Sequence, residues 1–260
     1  MNQVYPLLTG FLGWPAPPSL TPIMHPVYAW LIVTRGGRSI LVDTGNPRSL
    51  AGKSRALPWF DAPLMMGGDD DLAARLARTG HSIDDIDLLV ATHFDFDHCG
   101  NHDLFDNSGI TCVAQRAMLD DAETGDRYDR HLWHRPGIRY QRLVGDAEID
   151  HGVTLLETSG HAVGHQSLSV QIDGGSVLLA IDALADSSAY TDGPFPSFFV
   201  DDEIAWRGSR EKLIRLSERT GALMIFGHDP AQAQLLGAGD GPITLTEALR
   251  QSGSPVRRAE

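Results

Sequence analysis

Apolar residues along the chain come in strand-length runs separated by short polar or glycine-containing stretches. VYAWLIVT (27–34) and RSILVD (38–43) read as strands joined by a turn at Gly36-Gly37. IDLLV (86–90) reads as a buried strand, extended to Ala91. VTLLET (153–158), SLSVQI (167–172) and SVLLAI (176–181) follow, the last two joined by a turn at Asp173-Gly174-Gly175, and ALMIF (222–226) is a last buried strand. Helical stretches interrupt these runs. DDDLAARLART (69–79) has acidic residues at its start, Leu72 and Leu76 four apart, and Gly80 as a stop. Ser82 and Asp85 have the spacing of a capping box, with Asp in place of Glu. AQRAMLDDAE (114–123) and DDEIAWRGSREKLIRLSERTG (201–221) are the other helical segments. Strands in runs, interrupted by helices, predict an α/β sandwich rather than a strictly alternating parallel sheet.

Chemistry gathers where the strands end. THFDFDHCGN (92–101) sets two histidines and two aspartates into six positions after the strand at 86–91, and Gly100-Asn101 reads as a turn. If the strand continued, His93, Asp95 and Asp97 would share a side and His98 would join them at the bend. Such side chains are costly to desolvate together unless a cation binds them; otherwise the segment is a solvated acidic loop. Three more ligand-type residues follow other strands: His161 in TSGHAVGHQSL, Asp182 at the end of SVLLAID, and His228 in FGHDPAQ. Loops at strand ends are where sheet proteins usually build sites.

HFDFDHCGN, SGHAVGHQSL, AID and FGHDPAQ resemble the successive metal motifs of metallo-β-lactamase-fold hydrolases. ILVDTGNP (40–47), LVGDAEIDHGVTLLETSGHAVGHQSL (143–168) and MIFGHDPAQ (224–232) extend the resemblance towards the N-acyl-homoserine lactonase branch. It runs from about residue 27 to residue 232 and implies a four-layer αββα sandwich, with the whole chain, 1–260, as a single hydrolase domain. It implies two divalent metal ions: His93, Asp95 and His161 for the first, Asp97, His98 and His228 for the second, and Asp182 between them. Asp97 and Asp182 stand as catalytic residues, and Asp43 supports the loops from behind. The implied reaction is opening of a lactone or similar cyclic ester or amide by a hydroxide shared between the ions. A thioesterase of the hydroxyacylglutathione type and, in a different class, a di-iron redox protein are the alternatives. The first would need a basic anchor near the site, and the second a flavin domain for which the chain has no room. A β-lactamase is disfavoured by the lactonase-like stretches.

Two positions depart from the family pattern. Asp95 stands where the HxHxDH motif has a histidine. The added negative charge predicts a weaker Lewis acid, with Mn2+ or Fe2+ competing against Zn2+, and a first metal site weak or empty if Asp95 falls short. A histidine at 95 is expected to preserve activity or to shift preference towards zinc. Ala185 stands where lactonases carry a tyrosine three residues after the bridging aspartate; Tyr190 is the one nearby candidate to replace it.

The remaining features refine this picture. His165 is expected to make structural hydrogen bonds, Cys99 to pack, His102 to lie on the surface, and His131 and His134 to be solvated. GWPAPPSLTPIM (13–24), LPWFDAPLMMGG (57–68) and YTDGPFPSFFV (190–200) read as apolar loops that line a pocket or form a homodimer contact, with Trp14, Trp59 and Phe198 as their markers. A pocket of that kind implies a small-molecule substrate with an apolar or aromatic portion. The net charge of −13 excludes a nucleic-acid partner. No apolar run is long enough to span a membrane, and the first residues show no secretion signal. With only two cysteines, the expected location is cytoplasmic, with reduced thiols.

Overall fold

The computed structural model describes residues 1–16, 19–57, 60–190, 199–237 and 241–253. Strands β1 (Gln3–Ala16), β2 (Ser19–Val33), β3 (Ser39–Val42), β4 (Ser54–Leu57), β5 (Phe60–Met65), β6 (Leu88–Val90), β7 (Ile110–Gln115) and β8 (Ile138–Leu143) form one sheet, ordered β4-β5-β1-β2-β3-β6-β7-β8. β9 (Ala147–Asp150), β10 (Val153–Glu157), β11 (Gln166–Ile172), β12 (Gly175–Ile181) and β13 (Leu223–Phe226) form the second, ordered β13-β12-β11-β10-β9. The helices are α1 (Leu72–Arg78), α2 (Phe96–Cys99), α3 (Arg116–Thr124), α4 (Arg130–Trp133), α5 (Glu203–Thr220), α6 (Pro230–Leu236) and α7 (Glu247–Ser252).

The central strands have apolar residues at consecutive positions because both of their faces are covered. Tyr28, Trp30 and Ile32 of β2, Ile40 and Val42 of β3, and Leu88 and Val90 of β6 point inward. They meet Val153, Leu155, Leu168, Val170, Val177, Leu179 and Ile225 of the second sheet. The intervening Ala29, Leu31, Leu41 and Leu89 face outward onto Leu72 and Leu76 of α1 and Met118 and Leu119 of α3. On the other side, Leu178, Ala180 and Met224 pack against Leu213 of α5. Two sheets with helices on both outer faces give the expected four layers.

The apolar pattern located most central elements to within a few residues but missed β1, β4, β5, β7, β8 and β9. The segments 13–24 and 57–68, expected as loops, belong largely to strands: β1 and β2 form one long antiparallel hairpin, and β5 pairs with β1 at Phe11↔Met65. Helix ends agree with local chemistry. The Asp71 side chain accepts from the Ala73 and Ala74 amides, the Ser82/Asp85 capping box is formed, and α5 stops at Gly221 with φ 68°.

Topology decides where the site lies. β3 and β6 are parallel, so their C-terminal ends share an edge. β12 and β13 are parallel, and β12 is antiparallel to β11, which is antiparallel to β10. The C-terminal ends of β10, β12 and β13 therefore reach one edge of the second sheet. Gln166 joins the two edges: its amide donates to the Thr92 carbonyl (3.0 Å) and its side-chain nitrogen to the Ala91 carbonyl (2.7 Å).

Candidate active site

All seven predicted side chains converge at this shared edge, although not by strand alternation. β6 ends at Val90, so His93 and Asp95 lie in the following loop, while Asp97 and His98 lie on the single turn of α2. The turn sits deep because Gly100 rests against the Gly45–Pro47 loop; a Cβ there would come within 2.4 Å of the Pro47 nitrogen. The other three arrive from the second sheet: His161 after β10, Asp182 immediately after β12, and His228 after β13.

The atoms that face one another form two trios sharing a carboxylate. His93 Nε2, His161 Nε2 and Asp95 Oδ2 lie 3.1–3.4 Å apart. His98 Nε2, His228 Nε2 and Asp97 Oδ2 form the second trio, with Asp97 Oδ2 at 3.7 and 3.9 Å from the two rings. Asp182 presents Oδ2 to His161 (3.4 Å) and His93 (3.7 Å), and Oδ1 to His228 (2.9 Å) and His98 (3.4 Å). Four-coordinate zinc with bonds of about 2.0–2.2 Å places its ligands about 3.3–3.6 Å apart, close to these separations. Among the described residues, His98 Nε2, His228 Nε2 and Asp182 Oδ1 are buried and, although they approach one another, make no hydrogen bond of good geometry. Three such atoms pointing at one another would be costly unless a cation satisfies them, so the residues fit divalent ions.

Each histidine is oriented from behind through Nδ1, leaving Nε2 to face inward. His98 Nδ1 donates to Asp43 Oδ2 (2.9 Å), His161 Nδ1 to the Phe199 carbonyl (2.6 Å) and His228 Nδ1 to the Pro26 carbonyl (2.8 Å). Thr92 Oγ1 donates to Asp43 Oδ2 (2.7 Å) and accepts from His93 Nδ1 (3.1 Å). Asp43 thus supports both trios, as expected, from a left-handed backbone position with φ 59°. Ile181, just before Asp182, has φ 53°, which a β-branched residue adopts only under strain. Gly227 makes room for this turn, since a Cβ there would meet the Ile181 carbonyl oxygen at 2.6 Å.

Electrostatics couples these groups. Burial opposes ionisation of Asp182, but His228, His98 and His161 hold its pKa well below the carboxylate range. Burial also opposes a charged His98, yet Asp182 and Asp97 raise its pKa well above the usual value; His228 is raised by Asp182 against the same penalty. Asp95 is desolvated as well, but Arg127, followed by His161 and His93, keeps its pKa well down.

Several neighbours stand differently from the sequence expectation. His102 is buried, not on the surface, because the turn after α2 tucks it beneath Phe94 and beside Tyr140. Tyr190 does not enter the site: its hydroxyl donates to the Gly253 carbonyl (2.9 Å) and its ring packs on Phe226. His165 makes the structural bond expected, with Thr158 Oγ1 (2.9 Å), and Cys99 is buried with Sγ donating to the Phe94 carbonyl (3.2 Å). His131 and His134 are exposed. Trp14 stacks on His25 with centroids 4.2 Å apart and meets His228 edge-on at 5.0 Å, while Phe199 lies 4.2 Å from His161. Trp59 and Phe198 lie outside the described residues. Sequence reasoning missed His25, whose Nδ1 lies 3.1 Å from the His228 carbonyl, and Arg127, whose guanidinium grips Asp95. Neither sits in a local motif that could have signalled it.

A two-sheet sandwich with seven ligand-type residues at one shared edge defines a metallohydrolase architecture, and residues 23–228 match the metallo-beta-lactamase superfamily. The chain belongs to that superfamily and is a metal-dependent hydrolase. It is 33% identical over 213 residues to an N-acyl homoserine lactonase of Bacillus thuringiensis, covering 80% of this chain and 82% of that protein. It is also 33% identical to the N-acyl homoserine lactonase AttM of Azorhizobium caulinodans, over 75% of this chain and 76% of that one. Among solved structures it is similar to an N-acyl homoserine lactone hydrolase holding N-hexanoyl-L-homoserine at its catalytic metal centre. The TM-score is 0.80 at 26% identity, with 93% of this chain and 98% of that one covered. A B. thuringiensis AiiA variant with N-decanoyl-L-homoserine at the active site aligns with TM-score 0.79 at 27% identity, over 93% and 98% of the chains.

Proposed function

We propose that this hydrolase opens a lactone or a closely related cyclic ester whose acyl side is apolar, using two divalent ions held by the seven convergent residues. His93, Asp95, His161 and Asp182 Oδ2 would hold one ion, and Asp97, His98, His228 and Asp182 Oδ1 the other. Bound there, the ions would supply a hydroxide nucleophile near neutral pH and polarise the scissile carbonyl. The observation that carries this reading is Asp182, which offers one oxygen to each trio. Zn2+ suits this histidine-rich, carboxylate-containing set; Mn2+ and Fe2+ are the competing ions.

The chain's own residues orient and exclude. Trp14 and Phe199 put aromatic surface beside His228 and His161, supporting an apolar group next to the scissile bond. The two solved relatives hold N-hexanoyl-L-homoserine and N-decanoyl-L-homoserine, whose acyl chains are consistent with such surface. Ala185 offers no hydroxyl, and its carbonyl accepts from the His228 amide (2.6 Å). Ring orientation therefore falls to other groups, which favours lactones other than those of homoserine. Both cysteines are free and buried, which supports a reducing compartment such as the cytoplasm. Among the described residues no helix is long and apolar enough to cross a membrane.

A panel of acyl-homoserine lactones, other lactones, cyclic amides and glutathione thioesters, assayed before and after chelation, tests the reading. Metal-dependent turnover greatest on lactones is expected. Preferential thioester cleavage, or lactonase activity that survives complete metal removal, would refute it. Iron-dependent colour with redox turnover would point to the di-iron class instead.

A further inference from the structure

Asp95 is the most exposed of the seven convergent side chains, at 23% against 7% or less for the others. A short carboxylate with that freedom can rotate away or chelate with both oxygens. Arg127 removes the freedom. Its Nε donates to Asp95 Oδ1 (3.1 Å) and its Nη2 to Oδ2 (2.6 Å), a two-pronged grip that fixes the plane of the carboxylate. Nη1 donates to Asp201 Oδ1 (2.6 Å), and Nη2 also lies 3.3 Å from His161 Nε2, a contact that an ion bound there would displace. The Asp201 amide in turn donates to the Gly160 carbonyl (2.9 Å) and approaches that of His161 (3.3 Å). Arg127 therefore ties the loop carrying Asp95 to the turn carrying His161, and its guanidinium lies over the Tyr128 ring at 5.5 Å.

We propose that Arg127 is a positioning residue of the first metal subsite. It holds Asp95 Oδ2 toward His93 and His161 and offsets part of the carboxylate's charge, sharing its own positive charge between Asp95 and Asp201. The inference rests on the two-ion reading above and deepens it. It also revises two expectations from sequence. The charge that Asp95 adds is partly offset within hydrogen-bonding distance, so it argues less strongly for Mn2+ or Fe2+ over Zn2+. A histidine at 95 is no longer a benign change, because it would leave a guanidinium beside the ion with one of its two carboxylate partners gone.

The two residues should be strongly coupled, and a double-mutant cycle on metal affinity reads the coupling. Arg127→Met alone has opposing effects: it frees the carboxylate, but it also removes a cation that repels the incoming ion. The diagnostic quantity is the difference between its effects in two backgrounds. Zn2+ stoichiometry by elemental analysis and affinity for the weaker equivalent by chelator competition are measured for wild type, Arg127→Met, Asp95→His and the double variant. Wild type should hold two ions, and Asp95→His should weaken the second equivalent at least about tenfold. Adding Arg127→Met to Asp95→His should recover about tenfold or more, a gain absent when the same change is made in wild type. Arg127→Lys, which keeps the charge but not the fork, should fail to restore that recovery in the Asp95→His background. If Asp95→His does not fold, as judged by circular dichroism of the metal-free protein, Asp95→Asn replaces it. Equal effects of Arg127→Met in both backgrounds would overturn the proposal. A wild-type ratio of one ion or none would instead overturn the two-ion reading beneath it.

Discussion

His102 should make the protein acid-sensitive, because it is folded in as a neutral ring. It is 1% exposed, beneath Phe94 and beside Tyr140, and its Nε2 has no hydrogen-bond partner among the described residues. Burial, only partly opposed by Asp43, pushes its pKa down to about 4. Unfolded, the ring titrates near 6.5, so between about pH 6.5 and 4 the unfolded chain binds a proton that the folded one refuses. Stability is thus full above that window and falls as the pH drops through it. At 1.36 kcal/mol per unit, a separation of about 2.5 units sets a ceiling of about 3 kcal/mol, of which about 2 kcal/mol is lost between pH 7.5 and 5. The perturbation is His102→Leu, and the assay is urea unfolding of metal-free protein at both pH values. Other groups titrate in both proteins, so the difference between them isolates this ring. The variant should gain about 2 kcal/mol on wild type as the pH falls from 7.5 to 5. A difference that does not change with pH would refute the reasoning.

Three further outcomes follow from the site. Asp182→Asn and His98→Ala should each cut lactone hydrolysis by at least about a hundredfold and lower the bound-metal ratio below two; an unchanged metal ratio would remove these residues from the ligand set. Trp14→Ala should raise KM for long-chain substrates several-fold with little change in kcat or in elution volume, because its ring borders His228; a change in oligomer size would assign it to an interface instead. Tyr190→Phe should leave kcat and KM unchanged and cost about 1 kcal/mol in urea unfolding, the usual worth of its bond to the Gly253 carbonyl; a fall in kcat at unchanged stability would return Tyr190 to the catalytic machinery.

If the cluster holds the proposed ions, the charges within it should make metal uptake pH-dependent as well. Without a cation, Asp182 and Asp97 draw a proton onto His98, and Asp182 draws one onto His228. A metal ion has to displace those protons, so affinity falls with acidity. The raised histidines and the depressed Asp182 express one fact: the cluster is built to hold positive charge.

The sequence by itself determined the sandwich and the residues able to bind metal, because both are local properties. A strand covered on both faces must be apolar at consecutive positions, as in SILV and LLV. His93 to His98 lie within one loop and turn, and His161, Asp182 and His228 each follow a readable strand, so their chemistry shows without knowledge of contacts. Pairing across distance was not legible. Arg127 is 32 residues from Asp95 in the chain, in a stretch with no motif, and only the packing of α3 and α4 against the first sheet brings it to the carboxylate. His102 looked exposed because it follows the Gly100-Asn101 turn, whereas its neighbours in space are Phe94, Trp133 and Tyr140. Tyr190 could reach the site by count, but α7 ends at a carbonyl that captures its hydroxyl. Residue type and spacing therefore specified which groups could meet a metal; the chain's return from distant segments decided which charges are paired and which rings are buried.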